Sequence, residues 1–82
     1  MATAPKWSET TIDLVWATAI PIVTLSGHSR DCDGRIIKRT DYGFESTFGW
    51  RIEHVQPLED GGSNALLNLR PRHWMGSGPV SN

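Results

Sequence analysis

The sequence predicts a small α+β domain in which one helix precedes several short antiparallel strands. Apolar residues near the N-terminus recur with helical spacing, and later segments show short apolar runs or the alternation of strands. Loops that contain glycine and proline separate these segments, as is typical of hairpins. With 82 residues the chain has the length of a single domain, so residues 1–82 are expected to fold as one unit.

The helix is expected at about residues 10–20. Its apolar positions follow one helical face, at Ile12, Val15, Trp16 and Ala19. Thr10, with Asp13 three residues later, predicts a capped N-terminus. Pro21 is expected to end the helix because proline has no amide hydrogen to continue it.

Three later segments predict strands. Ile36 and Ile37 form a short apolar run between basic residues, and residues 50–55 alternate between apolar and polar side chains. Residues 68–71 predict a short edge strand that Pro71 terminates, because proline cannot donate to a ladder. These strands would pair as short antiparallel hairpins.

The charge is nearly balanced, with eight basic and nine acidic side chains and a formal charge of −1. This balance argues against a protein that coats nucleic acid extensively. The distribution is uneven, however, because no acidic residue follows Asp60, whereas Arg70 and Arg72 do. A surface that contacts anions is therefore expected in the C-terminal third of the chain.

The single cysteine, Cys32, has no partner for an internal disulfide, which favours a reducing compartment and a cytoplasmic location. No apolar run is long enough to span a membrane, so no membrane association is expected. The N-terminus lacks the basic and apolar regions of a secretion signal.

An ordered set of short motifs runs from about Asp31 to Trp74. It comprises Asp31 with Gly34, Asp41-Tyr42-Gly43, Gly49-Trp50, Ile52-Glu53-His54-Val55, Pro57, Gly61-Gly62, Asn68-Leu69, Pro71 and His73-Trp74. In this order and spacing the set resembles the HNH nuclease family, whose fold is also called the ββα-metal or His-Me finger fold. The resemblance implies an HNH-like core at about residues 31–75, followed by a stunted C-terminal helix and a tail over residues 76–82.

The resemblance also implies roles for four residues. Glu53 and His73 would bind one divalent cation (Mg²⁺, Mn²⁺ or Zn²⁺), held weakly. His54 would be the general base, and Asn68 would steady the loop that carries it. An imidazole that is neutral near pH 7 is a suitable proton acceptor for water, and a cation takes up charge on the phosphate.

The predicted site places a geometric demand on the strand. Successive side chains of a regular strand point to opposite faces, so Glu53 and His54 can serve one cation only if the strand kinks. The loop at Pro57 would permit such a kink. In the alternative structural interpretation, Glu53 pairs with Arg51 or Arg70 across a sheet, which contributes little to stability.

Arg51, Arg70 and Arg72 are the candidate DNA contacts. Arg70 and Arg72 are two residues apart, so on a strand they share a face from which they can reach phosphates. The alternative is that they form a solvated edge that discourages aggregation.

The sequence therefore supports two functional hypotheses. The first is a small metal-dependent endonuclease that cleaves DNA. The second is a catalytically degenerate HNH-like fold that binds a protein or DNA partner, or acts as an inhibitor. The truncated last helix, with Ser77 where the family normally carries a further Asn or His, the near-neutral charge and the compact length motivate the second hypothesis. Glu53, where the family usually has Asp, is a smaller departure that also puts activity in doubt. The oligomeric state stays open, since a partner chain that supplies the missing helix is a further alternative.

Overall fold

A computed structural model describes residues 7–76 as one helix and two antiparallel sheets, which confirms the α+β class. Helix α1 spans Glu9–Trp16. The strands that follow are β1 at Ile20–Pro21, β2 at His28–Arg30, β3 at Ile36–Lys38, β4 at Trp50–His54 and β5 at Leu69–His73. Strands β1, β2 and β3 form one sheet, and β4 pairs with β5 in the other. Within the described residues, α1 is far too short to cross a membrane.

The N-terminus of α1 differs from the sequence prediction. The hydroxyl of Ser8 accepts a hydrogen bond from the Thr11 N–H at 3.1 Å, so Ser8 is the N-cap and the prediction of Thr10 was wrong. Serine is among the preferred N-cap residues because its oxygen satisfies an amide that has no partner within the helix. The apolar face nevertheless begins at Ile12 as expected, and Ile12 is buried.

The C-terminus of α1 also lies earlier than expected, at Trp16 rather than near residue 20. Both the hydroxyl and the backbone N–H of Thr18 donate to the Val15 carbonyl, at 2.7 and 3.0 Å. These bonds replace the next helical hydrogen bond, because they use a carbonyl that a longer helix would offer to residue 19. The chain then turns, and Pro21 lies in β1.

Trp50 is at the centre of the core and has no exposed surface. Its indole N–H donates to the Lys38 carbonyl at 2.8 Å, and its ring lies 5.2 Å from the ring of Trp16 and 5.0 Å from that of Tyr42. Trp50 thereby joins α1, β3 and β4. The other buried apolar residues of this cluster are Ile12, Val15, Ala19, Ile37 and Leu69.

Strands β4 and β5 pair in antiparallel register over five positions. Beyond the strand ends the Val55 N–H donates to the Asn68 carbonyl at 2.8 Å, which continues the ladder. Hydrogen-bonded and non-hydrogen-bonded pairs alternate in such a ladder, so Pro71, opposite Ile52, falls where no donor is needed. β5 therefore runs past Pro71 to His73, and the prediction that Pro71 ends the strand was wrong.

Asp31 connects the two sheets and is only 2% exposed. One carboxylate oxygen accepts the N–H groups of Asp33 and Arg35, both at 2.9 Å, which closes the turn between β2 and β3. The other oxygen accepts the backbone N–H of His73 at 2.8 Å. This N–H points away from β4, so the buried carboxylate satisfies a donor that the ladder itself leaves unpaired.

The chain after β5 forms a turn over residues 74–76, in which the Gly76 N–H donates to the His73 carbonyl at 2.7 Å. The described residues therefore contain no helix after β5. The rest of the expected stunted helix and of the 76–82 tail, including Ser77, lies outside the described residues.

Replacing Asp31 with alanine is expected to lower the free energy of unfolding by about 3 kcal/mol, because it leaves the buried N–H of His73 and two partly buried N–H groups without an acceptor. Urea denaturation measures this. Glu59→Ala, at an exposed position, is the control and should change stability by no more than about 0.5 kcal/mol. Asp31→Asn, which keeps one acceptor oxygen, should lose less. An unchanged stability for Asp31→Ala would contradict this account of how the sheets are joined.

Candidate functional site

Glu53 lies on the outer face of the β4–β5 hairpin, which we define by Arg51, Glu53, Arg70 and Arg72. The opposite face carries the buried side chains of Trp50 and Leu69. One carboxylate oxygen of Glu53 accepts the Arg70 Nε–H at 2.8 Å and an Arg72 guanidinium N–H at 3.1 Å. The carboxylate expected to bind a cation is therefore the shared ion-pair partner of two arginines.

Arg72 is held mainly by acidic groups, and its side chain is only 15% exposed. Its guanidinium pairs with Asp33 at 2.8 Å as well as with Glu53, and donates to the Gly76 carbonyl at 2.8 Å. Burial lowers the pKa of Arg72, but Glu53, Cys32 and Asp33 raise it by more, so the pKa lies above its usual value. Arg72 is thus a protonated structural group rather than an open phosphate contact.

His73 is buried, and both of its ring nitrogens are engaged. Nε2 lies 2.7 Å from the Thr47 carbonyl oxygen and donates to it, while Nδ1 accepts the Met75 N–H at 3.1 Å. A metal ligand needs a nitrogen lone pair that is directed at the ion. In this structure His73 instead ties β5 to the loop that precedes β4.

The structure does not bring Glu53, His54 and His73 together as the metal site requires. His73 pairs with Trp50 and His54 with Leu69, so the two histidines are four ladder positions apart, or about 13 Å at the usual rise of a strand. β4 is continuous through His54 without the kink that the site needs. Among residues 7–76, no three His, Cys, Asp or Glu side chains are grouped to hold a metal ion.

His54 lies at the end of β4, where the loop to β5 begins. Its Nε2 is 2.7 Å from the side-chain oxygen of Asn64, and its ring centroid is 5.8 Å from that of Trp7. An amide oxygen is an acceptor, so it favours the tautomer with hydrogen on Nε2 and a lone pair on Nδ1. This is the protonation pattern that a general base requires.

Asn68 closes the loop that runs from residue 55 to residue 68. Its side-chain oxygen accepts the Gln56 N–H at 2.8 Å, and its amide nitrogen donates to the carbonyls of Gln56 and Ser63 at 3.0 and 2.7 Å. These three bonds hold the two ends and the middle of the loop together beside His54. The loop-steadying contacts that the resemblance implied for Asn68 are therefore present, and any part in catalysis stays a prediction.

Sequence reasoning missed Asn64 and gave Asp31 no role, although it noted Asp31 as part of a motif. Asn64 is ten residues from His54, across an irregular loop, where no periodicity predicts which side chains meet. A buried aspartate that opens a turn offers a weak local signal for capping, because such side chains often accept nearby N–H groups. Nothing local indicates its bond to His73.

Comparison with known protein families, curated proteins and solved structures finds no match to this chain. The HNH interpretation is therefore a prediction from the order and spacing of the sequence motifs.

Replacing Asn68 with alanine is expected to loosen this loop and to lower the free energy of unfolding by about 2 kcal/mol, through the loss of its side-chain hydrogen bonds. Amide hydrogen exchange should become faster across residues 55–68 and stay unchanged in β2 and β3. Asn64→Ala is the matched control, since Asn64 contacts the His54 ring and should leave the backbone exchange of the loop nearly unchanged. Equal exchange rates in both variants would contradict the bracing role of Asn68.

Proposed function

We propose that the chain is an HNH-like module that binds DNA through the outer face of the β4–β5 hairpin and does not hydrolyse it. The observation that carries this proposal is the position of Glu53, on the opposite side of the sheet from His54 and between two arginines. The same carboxylate cannot neutralise Arg70 and Arg72 and also act as the principal ligand of a cation shared with His73.

The ion pairs of Glu53 oppose metal binding energetically. Moving the carboxylate to a cation would leave Arg72, which is mostly buried, with Asp33 as its remaining acidic partner. Breaking a fully buried ion pair costs about 3–5 kcal/mol of free energy. The Glu53–Arg72 pair is partly exposed, so breaking it should cost less than this. A site with one carboxylate would hold Mg²⁺ weakly, since Mg²⁺ sheds its waters reluctantly. The internal pairs are therefore favoured.

The charge of the outer face supports DNA as the partner. The three arginines Arg51, Arg70 and Arg72 lie beside two carboxylates, Glu53 and Asp33, so this region keeps a net positive charge within a chain whose formal charge is −1. Arg51 is exposed, and a guanidinium has several donors in a fork that suits phosphate oxygens. Because all three guanidinium groups already have partners within the protein, the expected contact is limited to a few phosphates.

The resemblance to the HNH family supports the same partner. His54 lies at the end of β4 and Asn68 closes the loop beside it, which is compatible with the resemblance, whereas the expected metal ligands Glu53 and His73 lie apart. A fold that keeps the hairpin and its braced loop keeps a rigid surface for binding. Loss of the cation site removes hydrolysis without removing that surface.

The variant Glu53→Gln tests whether the outer face of the β4–β5 hairpin binds DNA. It removes the negative charge between Arg70 and Arg72, so duplex DNA affinity at low salt should rise several-fold, and the slope of log affinity against log salt should steepen by about 1. Fluorescence anisotropy with a labelled duplex measures both. Glu59→Gln, which changes the net charge equally at an exposed loop position, is the matched control and should leave the slope unchanged. Weaker binding by Glu53→Gln would contradict the proposal, and no binding by the unaltered protein at low salt would favour a protein partner.

A second candidate function is metal-dependent cleavage with His54 as the base, which the contact between His54 Nε2 and Asn64 favours. In this candidate Nδ1 accepts the proton of the attacking water. A nuclease of this kind would need to recruit its cation from groups that move on DNA binding, since β4 is a regular strand at Glu53.

Nicking of supercoiled plasmid in Mn²⁺ or Mg²⁺ decides between the two functions. We expect no metal-dependent nicking, and the same background for the unaltered protein, His54→Ala and the control His28→Ala. Calorimetric titration with Mn²⁺ should give no binding heat. Nicking that requires metal and disappears in His54→Ala alone would establish the second candidate and overturn the first.

A further inference from the structure

A cavity of about 170 Å³ opens beside β4, between the chain that follows β3 and the turn after β5. Four aromatic side chains and two opposite charges contribute to its lining: Tyr42, Phe44, Trp50, Trp74, Glu45 and Arg51. This volume is below the roughly 300–1,000 Å³ of pockets that enclose a whole drug-sized ligand. The cavity therefore suits a single planar ring system rather than an extended molecule.

The aromatic lining combines fixed rings with one exposed ring. Trp50 is fully buried, and Tyr42 meets it edge-on at 5.0 Å and 68°. The Trp74 indole is held by a hydrogen bond from its Nε1 to the Ser46 carbonyl at 2.6 Å. Phe44, by contrast, is 61% exposed. Rigid aromatic surface beside an accessible ring is the arrangement on which flat aromatic ligands stack.

The two charged residues select the class of ligand. Glu45 accepts hydrogen bonds, whereas Arg51 donates them, with one donor already directed to the Trp74 carbonyl at 3.0 Å. A nucleobase has N–H donors on its edge and a phosphate attached through its sugar, so it satisfies both side chains. A quaternary ammonium would instead meet the positive charge of Arg51, and an aliphatic side chain would satisfy neither.

We propose that this cavity binds one unpaired base of single-stranded DNA, stacked against Phe44 and Trp74, with the adjoining phosphate on Arg51. The proposal rests on the proposed function for the choice of DNA as the polymer. Arg51 lies on the outer face of the hairpin and also lines the cavity, so it links backbone binding to base binding.

Glu45 makes guanine the preferred base. Guanine presents two adjacent N–H donors, on N1 and N2, which match the two oxygens of one carboxylate. Adenine and cytosine present an amino group beside an acceptor nitrogen, which repels a carboxylate oxygen. Stacking itself is tolerant of sequence, because every base has a π-face, so the preference depends on Glu45.

The test uses the full chain and labelled thymine oligonucleotides that carry one central guanine or one abasic site. We expect the guanine oligonucleotide to bind about tenfold more tightly than the abasic one, as the loss of one stacked base predicts. Phe44→Ala should abolish this difference, and Phe44→Tyr should retain it because the ring is kept. Leu67→Ala, which removes a 98% exposed apolar side chain on the 55–68 loop, is the control and should behave as the unaltered protein.

Glu45→Gln should reduce the preference for guanine over adenine while leaving the stacking contribution in place. Urea denaturation of Phe44→Ala checks that its loss of binding is not a loss of folding. Because Phe44 is exposed, its stability should equal that of the unaltered protein. Equal binding of the guanine and abasic oligonucleotides by the unaltered protein would overturn the proposal.

The possible results distinguish a failure of the base-binding proposal from a failure of the proposed function. If the unaltered protein binds duplex DNA and Phe44→Ala leaves single-strand binding unchanged, the base-binding role of the cavity is refuted. The proposal that the chain is a DNA-binding module would then still hold. If neither duplex nor single strand binds, the module is refuted, and guanosine monophosphate tests the cavity alone. Quenching of tryptophan fluorescence by this nucleotide, lost in Phe44→Ala, would uphold the base site, whereas no quenching would refute it.

Discussion

The two-residue period of β4, held in register by its pairing with β5, is the constraint from which the other features follow. It directs Trp50 and Ile52 to the core, and Arg51 and Glu53 to the outer face. Because burial of Trp50 fixes which face is inside, a slip of one residue would expose the whole apolar set. Glu53 therefore remains on the side away from His54, and its chemistry is that of an ion-pair partner.

A small core makes directional polar contacts important to this fold. The Trp50 indole bonds to Lys38, and the buried carboxylate of Asp31 bonds to the backbone of His73, so each hairpin is tied to its neighbours at defined points. His73 itself is packed against the loop that carries Thr47. Both ring nitrogens of His73 are hydrogen-bonded within the protein, and these bonds stabilise the hairpin. If His73 turned to bind a metal ion, both bonds would be lost.

The surface that remains for function combines a braced loop, a cationic strand face and an aromatic cavity. Arg51 belongs to both the face and the cavity, so a single strand of DNA can place a phosphate and its base at neighbouring positions. Trp74 follows β5 directly, which makes the cavity wall an extension of the hairpin. The DNA binding that we propose thus uses only elements that the β4–β5 pairing already positions.

The sequence by itself determined the local elements in outline, including the helical face from Ile12 and the alternation of the strand that begins at Trp50, because each depends on neighbours along the chain. It also offered Arg70 as a partner for Glu53, which the structure selects. The tertiary structure alone decided that His73 is buried and distant from His54, since that follows from strand register and from contacts across more than 25 residues. Local periodicity carries no information about such distances, because they are set by which faces pack together.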